Sequence, residues 1–134
     1  MTMLLPALML ATTAATAEAD SGVAIELNAL EQAGGACRLT FTVGSRMEQD
    51  LEQLVLETVV FDRAGKVAAL TLFDFLEVPA GRTRVRQFDL PEMSCGELAG
   101  FLVNGAATCT VAGAASEICD DAVVTSRTKI EALR

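Results

Sequence analysis

Apolar and polar residues alternate through most of the chain, a period of two that predicts strands rather than helices. Residues 37–43 show it most cleanly: Cys37, Leu39, Phe41 and Val43 take one face and Arg38, Thr40 and Thr42 the other. Such a strand has a dry side and a wet side. Ahead of it, Val23-Ala24-Ile25-Glu26-Leu27-Asn28-Ala29-Leu30 alternates apolar with small or polar residues, as a half-buried strand does, and Gly34-Gly35 then turns the chain.

A hairpin over residues 51–78 organises the rest. Its first arm is rich in β-branched and apolar residues, with Leu54, Leu56, Thr58 and Val60 on one face. Val55, Val59 and Phe61 on the other face predict cover on both sides. Asp62 to Gly65 supplies the turn, with glycine where a left-handed backbone is needed. In the returning arm Leu70, Leu72, Asp74 and Leu76 share one parity and Thr71, Phe73, Phe75 and Glu77 the other, so pattern leaves inside and outside open. Pro79-Ala80-Gly81 ends this arm.

Residues 83–90 resume as a strand that Pro91 stops, because proline cannot donate to a ladder. A link over 93–99 has room for a turn of helix, as does the tail of the polar connection over 44–50. Residues 101–109 predict a sixth strand, weakened or bulged at Asn104-Gly105. A polar loop over 113–121 precedes a last strand over 123–130. Seven short strands, turn signals between them and no long helix predict an all-β protein built as a sandwich.

The first residues break this pattern. Residues 3–11 are apolar, and a small-residue run with Ala-x-Ala spacing at Ala15/Ala17 and Ala17/Ala19 follows. This is the layout of a cleaved signal peptide over residues 1–19, too short for a membrane span, leaving one domain over residues 20–134. The first basic residue is Arg38, although signal peptides begin with positive charge, so translation is expected to start upstream of Met1. With no cysteine near the cleavage site, a lipid anchor has no support. The expected location is the periplasm or the cell exterior, with no membrane insertion after cleavage.

A net charge of −8 favours solubility and argues against nucleic acid or an anionic membrane surface as partner, since both require basic patches. The 4 cysteines, Cys37, Cys95, Cys109 and Cys119, form an even set in a chain that carries an export-like leader, and they read as two disulfides.

The hairpin and its sequel carry a family likeness. Leu51, Leu54, Leu56, Thr58 and Val60 precede Phe61-Asp62-x-x-Gly65-Lys66-Val67, and Val78-Pro79-Ala80-Gly81-x-Thr83 leads into Val85 and Phe88. Over residues 39–90 this resembles the small bacterial immunoglobulin-like or fibronectin-III-like domains of the FxLYD type. The whole chain also resembles small exported proteobacterial proteins. What the resemblance implies is a seven-stranded immunoglobulin-like sandwich; neither likeness implies a catalytic residue. If the strand order is immunoglobulin-like, the second and fifth strands are antiparallel neighbours, which favours Cys37–Cys95. Cys109–Cys119 would then close a hairpin of the last two strands. The antibody-like pairing Cys37–Cys109 is the rival.

Other chemistry has little to stand on. The chain has no histidine, which removes Ser-His and Cys-His constellations and the usual metal triads, and it has no Cys-x-x-Cys pair for zinc or redox work. Glu117, Asp120 and Asp121 read as solvated loop acids, since a calcium loop needs more ligands in order. Met47 and Met93, soft enough for copper, read as packing residues. Arg82, Arg84 and Arg86 form the most unusual polar feature, three arginines on one strand face. They are candidates for an anionic ligand or acidic partner; the plainer alternative is pairing with neighbouring acids and protection of a sheet edge.

The expectation is therefore a non-enzymatic exported accessory or adaptor module that works by protein contact, with an unidentified protein partner and no cofactor. The alternatives are a periplasmic small-ligand or metal-binding protein, and a strand-exchanging fibre or pilus-like subunit.

Overall fold

The computed structural model describes residues 9–14 and 22–134. The expected signal peptide therefore falls largely outside the described residues. Among them, no helix is long and apolar enough to cross a membrane.

Two sheets face each other. One contains β1 (Val23–Ala33), β2 (Ala36–Ser45), β5 (Thr83–Leu90) and β8 (Val123–Ser126) in the order β5-β2-β1-β8. The other contains β3 (Leu51–Asp62), β4 (Val67–Val78), β6 (Leu98–Val111) and β7 (Ala114–Ala115) in the order β4-β3-β6-β7, with β9 (Glu131–Leu133) also on β6. The all-β sandwich is as the alternation predicts. Cys37, Leu39, Phe41 and Val43 are buried together, as are Leu54, Leu56, Thr58 and Val60.

The turn between β3 and β4 follows its sequence. The Asp62 carboxylate accepts the N–H groups of Ala64 and Lys66, each at 2.9 Å, and Gly65 takes φ +79°. An aspartate that satisfies two turn amides and a glycine in the left-handed region fix the hairpin locally. The Asn104-Gly105 irregularity is also present: Glu57 pairs Gly105 and Thr58 pairs Val103, leaving Asn104 as the extra residue of a bulge.

The core is held by an aromatic group drawn from both sheets. The Phe41 ring on β2 lies 5.8 Å from Phe73 and 5.6 Å from Phe75 on β4, and 5.9 Å from Phe101 on β6. Phe88 of β5 stacks on Phe73 at 4.3 Å. These contacts settle the register that alternation left open in β4. Phe73 and Phe75 turn inward, so Leu70, Leu72 and Leu76 must turn outward.

The C-terminal part departs from expectation. In place of one strand over 123–130, β8 runs parallel to β1 and β9 runs parallel to β6, so the chain crosses from one sheet to the other. Between them the Ser126 hydroxyl accepts the Thr128 N–H and the Thr128 hydroxyl accepts the Ile130 N–H, both at 3.1 Å. Hydroxyls that take backbone donors in this way compete with a ladder, and they break the strand where pattern alone would continue it. The expected hairpin of the last two strands is correspondingly absent. β6 turns back only into the two-residue β7.

The disulfides are Cys37–Cys95 and Cys109–Cys119. β2 and β5 are antiparallel neighbours, and Cys37 pairs Leu90 in the ladder. The chain leaving β5 thus passes Cys37 before the 3-10 turn Cys95–Glu97. Gln32 helps to place it: its amide donates to the carbonyls of Gly34, Ala36 and Met93, and its oxygen accepts the Cys95 N–H at 2.9 Å. Cys109 of β6 meets Cys119 in a second 3-10 turn, Ile118–Asp121. By loop-closure entropy, separations of 58 and 10 residues correspond to about 4 and about 3 kcal/mol. Both pairs indicate an oxidising compartment.

Candidate interaction edge

β4 is the outermost strand of its sheet, with β3 on one side. An edge strand presents backbone donors and acceptors to whatever approaches, and soluble proteins usually blunt such edges with charge. Here the opposite is found. Leu70, Leu72 and Leu76 are 62%, 57% and 53% exposed, and Val67 is 59% exposed. The sequence Val67-Ala68-Ala69-Leu70-Thr71-Leu72-Phe73 carries no charge at all.

The exposed side chains continue across the outer face of the sheet. Leu70 lies opposite Val59, Val59 opposite Leu102, and Leu102 opposite Leu133, so one row across four strands is wholly apolar. Val67 pairs Phe61 in the next row. The patch is richest at β4, because Val59 is already buried while the leucines of the edge stand clear.

The far end of β4 is closed. There the strand bulges, and Leu76 adopts φ +60°, which a residue with a branched side chain rarely takes. The Asp74 carboxylate accepts the Leu76 N–H at 2.8 Å. From β5, Arg86 donates through Nε to the Phe75 carbonyl at 2.7 Å and through Nη2 to the Glu77 carbonyl at 3.0 Å. One guanidinium therefore spans the flank of the sandwich and caps the two carbonyls on either side of the strained residue. The planar fork of donors in arginine suits this double contact; a lysine would supply a single point.

The three arginines singled out by sequence are thus not equivalent. Arg84 and Arg86 pair Val43 and Phe41 in the β2–β5 ladder, which places them toward the interior side of an edge strand, while Arg82 precedes β5 and is exposed. Ion pairs join Arg38 to Asp89 and Arg127 to Glu26, both at 2.8 Å. Asp89 is held below its ordinary carboxylate value by the Arg38 hydrogen bond, and Glu26 by Arg127 and then Asn28. The Arg38 guanidinium is correspondingly raised by Asp89. Arg86 works on carbonyls instead.

The remaining candidates lie elsewhere. Asp120 and Asp121 line a shallow cleft of about 410 Å³ beside Asn104 and Gly105 on the opposite flank. Among the described residues no group of three or more His, Cys, Asp or Glu is placed to hold a metal ion. Met47 and Met93 pack against the core from its margin. What pattern missed is the β4 edge itself, and its only sequence signal was that both parities of residues 69–76 are apolar enough to be buried.

No protein-family model matches the chain, and no curated protein matches it. Among solved structures, IrmA from Escherichia coli has the same fold, with a TM-score of 0.61 at 14% identity over 84% of this chain and 96% of that one. At this identity the likeness is one of fold.

Proposed function

We propose that this protein is a non-enzymatic module, exported to the periplasm or beyond the cell, that works by protein contact through the exposed edge and outer face of β4. The observation that carries the reading is the uncharged run over residues 67–73, in which Val67, Leu70 and Leu72 are more than half exposed. An apolar patch of this kind is unfavourable in isolation and becomes favourable when a partner covers it. The edge backbone adds donors and acceptors that fix the orientation of an approaching strand, as in strand-addition recognition. Export is supported by the two disulfides and by the signal-like first residues. The fibronectin-III-like assignment is supported by the partition of the first, second and fifth strands to one sheet and the third, fourth and sixth to the other.

The test is positional photo-crosslinking in the exporting cell. A photoreactive residue in place of Leu72 is expected to give discrete protein adducts, while the same residue in place of Glu31, exposed on β1, gives none. Equal labelling at both positions overturns the reading.

A further inference from the structure

We propose that the partner of the β4 edge is a second copy of this chain, its β4 running antiparallel to the first over residues 69–73 with Thr71 at the two-fold axis. This rests on the reading of β4 as the contact surface and adds the occupant and its register.

Charge selects the direction. Lys66 stands just before the uncharged stretch and Asp74 just after it. Antiparallel pairing brings the lysine end of each strand to the aspartate end of the other, twice by symmetry. Parallel pairing would set lysine beside lysine and aspartate beside aspartate, which is unfavourable across a ladder.

The leucines select the register. Centred on Thr71, each Leu70 lies opposite Leu72 of the other copy. Centred on Leu70, each Leu72 would meet Ala68; centred on Leu72, each Leu70 would meet Asp74. Only the first arrangement matches each of these outward leucines with a leucine, and two-fold pairing of this kind is self-complementary and closed.

The Arg86 clamp and a bulge at Ala68 set the length. With the carbonyls of Phe75 and Glu77 taken and Leu76 turned to φ +60°, regular pairing stops before Phe75 at one end, and at the other the extra residue Ala68, packed toward the core, ends it at Ala69. A symmetric ladder of five residues, 69–73, is about 17 Å long. The area such an edge pair covers with its side chains is on the order of 1,000 Å², the low end for specific interfaces, so the dimer is concentration-dependent rather than permanent. Two copies of so acidic a chain also repel, and added salt screens this while leaving the apolar contact intact.

Sedimentation of the disulfide-bonded chain over a concentration series is expected to show a monomer–dimer equilibrium that strengthens with salt. The variant L70K/L72K is expected to weaken dimerisation at least tenfold while keeping its circular dichroism and Tm. Register is read by mixing L70C and L72C chains in equal amounts with a short thiol crosslinker: the mixed L70C–L72C product should exceed either self-product by well more than the factor of about two that random pairing gives. A wild-type chain that stays monomeric at high concentration overturns the proposal, as does a dimer unaffected by L70K/L72K. Predominant L70C–L70C or L72C–L72C products overturn the register. If the chain is monomeric yet Leu72 still photo-crosslinks to other proteins in the cell, the second copy is ruled out and the contact surface stands.

Discussion

The two edge strands on one flank of the sandwich, β5 and β4, face the same solvent and solve the edge problem in opposite ways. β5 carries Arg84, Arg86 and Asp89 among polar neighbours, and two of its charges point to the interior side, the arrangement that discourages another strand from docking. β4 offers an uncharged run with leucines outward. The two are not independent, because Arg86 leaves the first to cap part of the second. Protection is therefore selective: the same guanidinium that closes one end of β4 defines how much of it stays open.

The aromatic group beneath both edges gives the largest test of this contrast. Phe41→Ala removes a ring that touches Phe73 and Phe75 of β4 and Phe88 of β5. A buried aromatic truncation of this kind costs about 3–5 kcal/mol, read by denaturant unfolding. Both edges are expected to loosen together, with faster hydrogen exchange in β4 and β5 than in β1. Loss confined to one of them would show that the flank is not a unit.

Arg86→Ala has a smaller effect on stability and a sharper one on the comparison. Losing two hydrogen bonds from a charged donor, one of them part-buried, is expected to cost about 1–3 kcal/mol. Because the freed carbonyls lengthen the open edge, self-association should increase in the same sedimentation series. A variant less stable but no more prone to associate would reduce Arg86 to a purely structural tie.

The smallest expected effect concerns the ion pair on the far side of β5. The Arg38 hydrogen bond depresses Asp89 below its ordinary value of 3.8. A carboxylate depressed in the folded state contributes stability that is fully present above its unfolded pKa and is lost as pH falls through the folded one. Asp89→Asn should therefore flatten the acid-side decline in Tm below about pH 4 while leaving neutral Tm nearly unchanged. Because the pair is open to solvent, the shift is slight, and self-association should not change at all.

Much of this molecule is legible in the alternation of its residues. Period two marks β1, β2 and β5 within a few residues, because each has one buried face and the pattern of the chain is the pattern of burial; β3, where Val59 is buried on one face and Val60 on the other, is marked by its β-branched and apolar content instead. The β3–β4 turn is equally plain, since Asp62 and Gly65 act on their own neighbours. The last strand is not legible: residues 123–130 alternate well enough, yet Ser126 and Thr128 spend their hydroxyls on local amides and the chain changes sheets. Neither the hydroxyl rotamers nor the crossing leaves a mark in the alternation.

The chain by itself determined that there would be strands, where most of them turn, that the fold is a two-layer sandwich and that four cysteines would be paired. These follow from local chemistry and from period, which a linear sequence carries in full. Tertiary structure alone decided which face of β4 is dry, because Phe73 and Phe75 had to meet Phe41 and Phe88 across the core and so forced Leu70 and Leu72 into water. It also decided the partner of Arg86, since the Phe75 and Glu77 carbonyls reach that side chain only when two sheets are stacked. The candidate surface is thus a by-product of packing elsewhere: the core chose its residues first, and what remained outside became the edge.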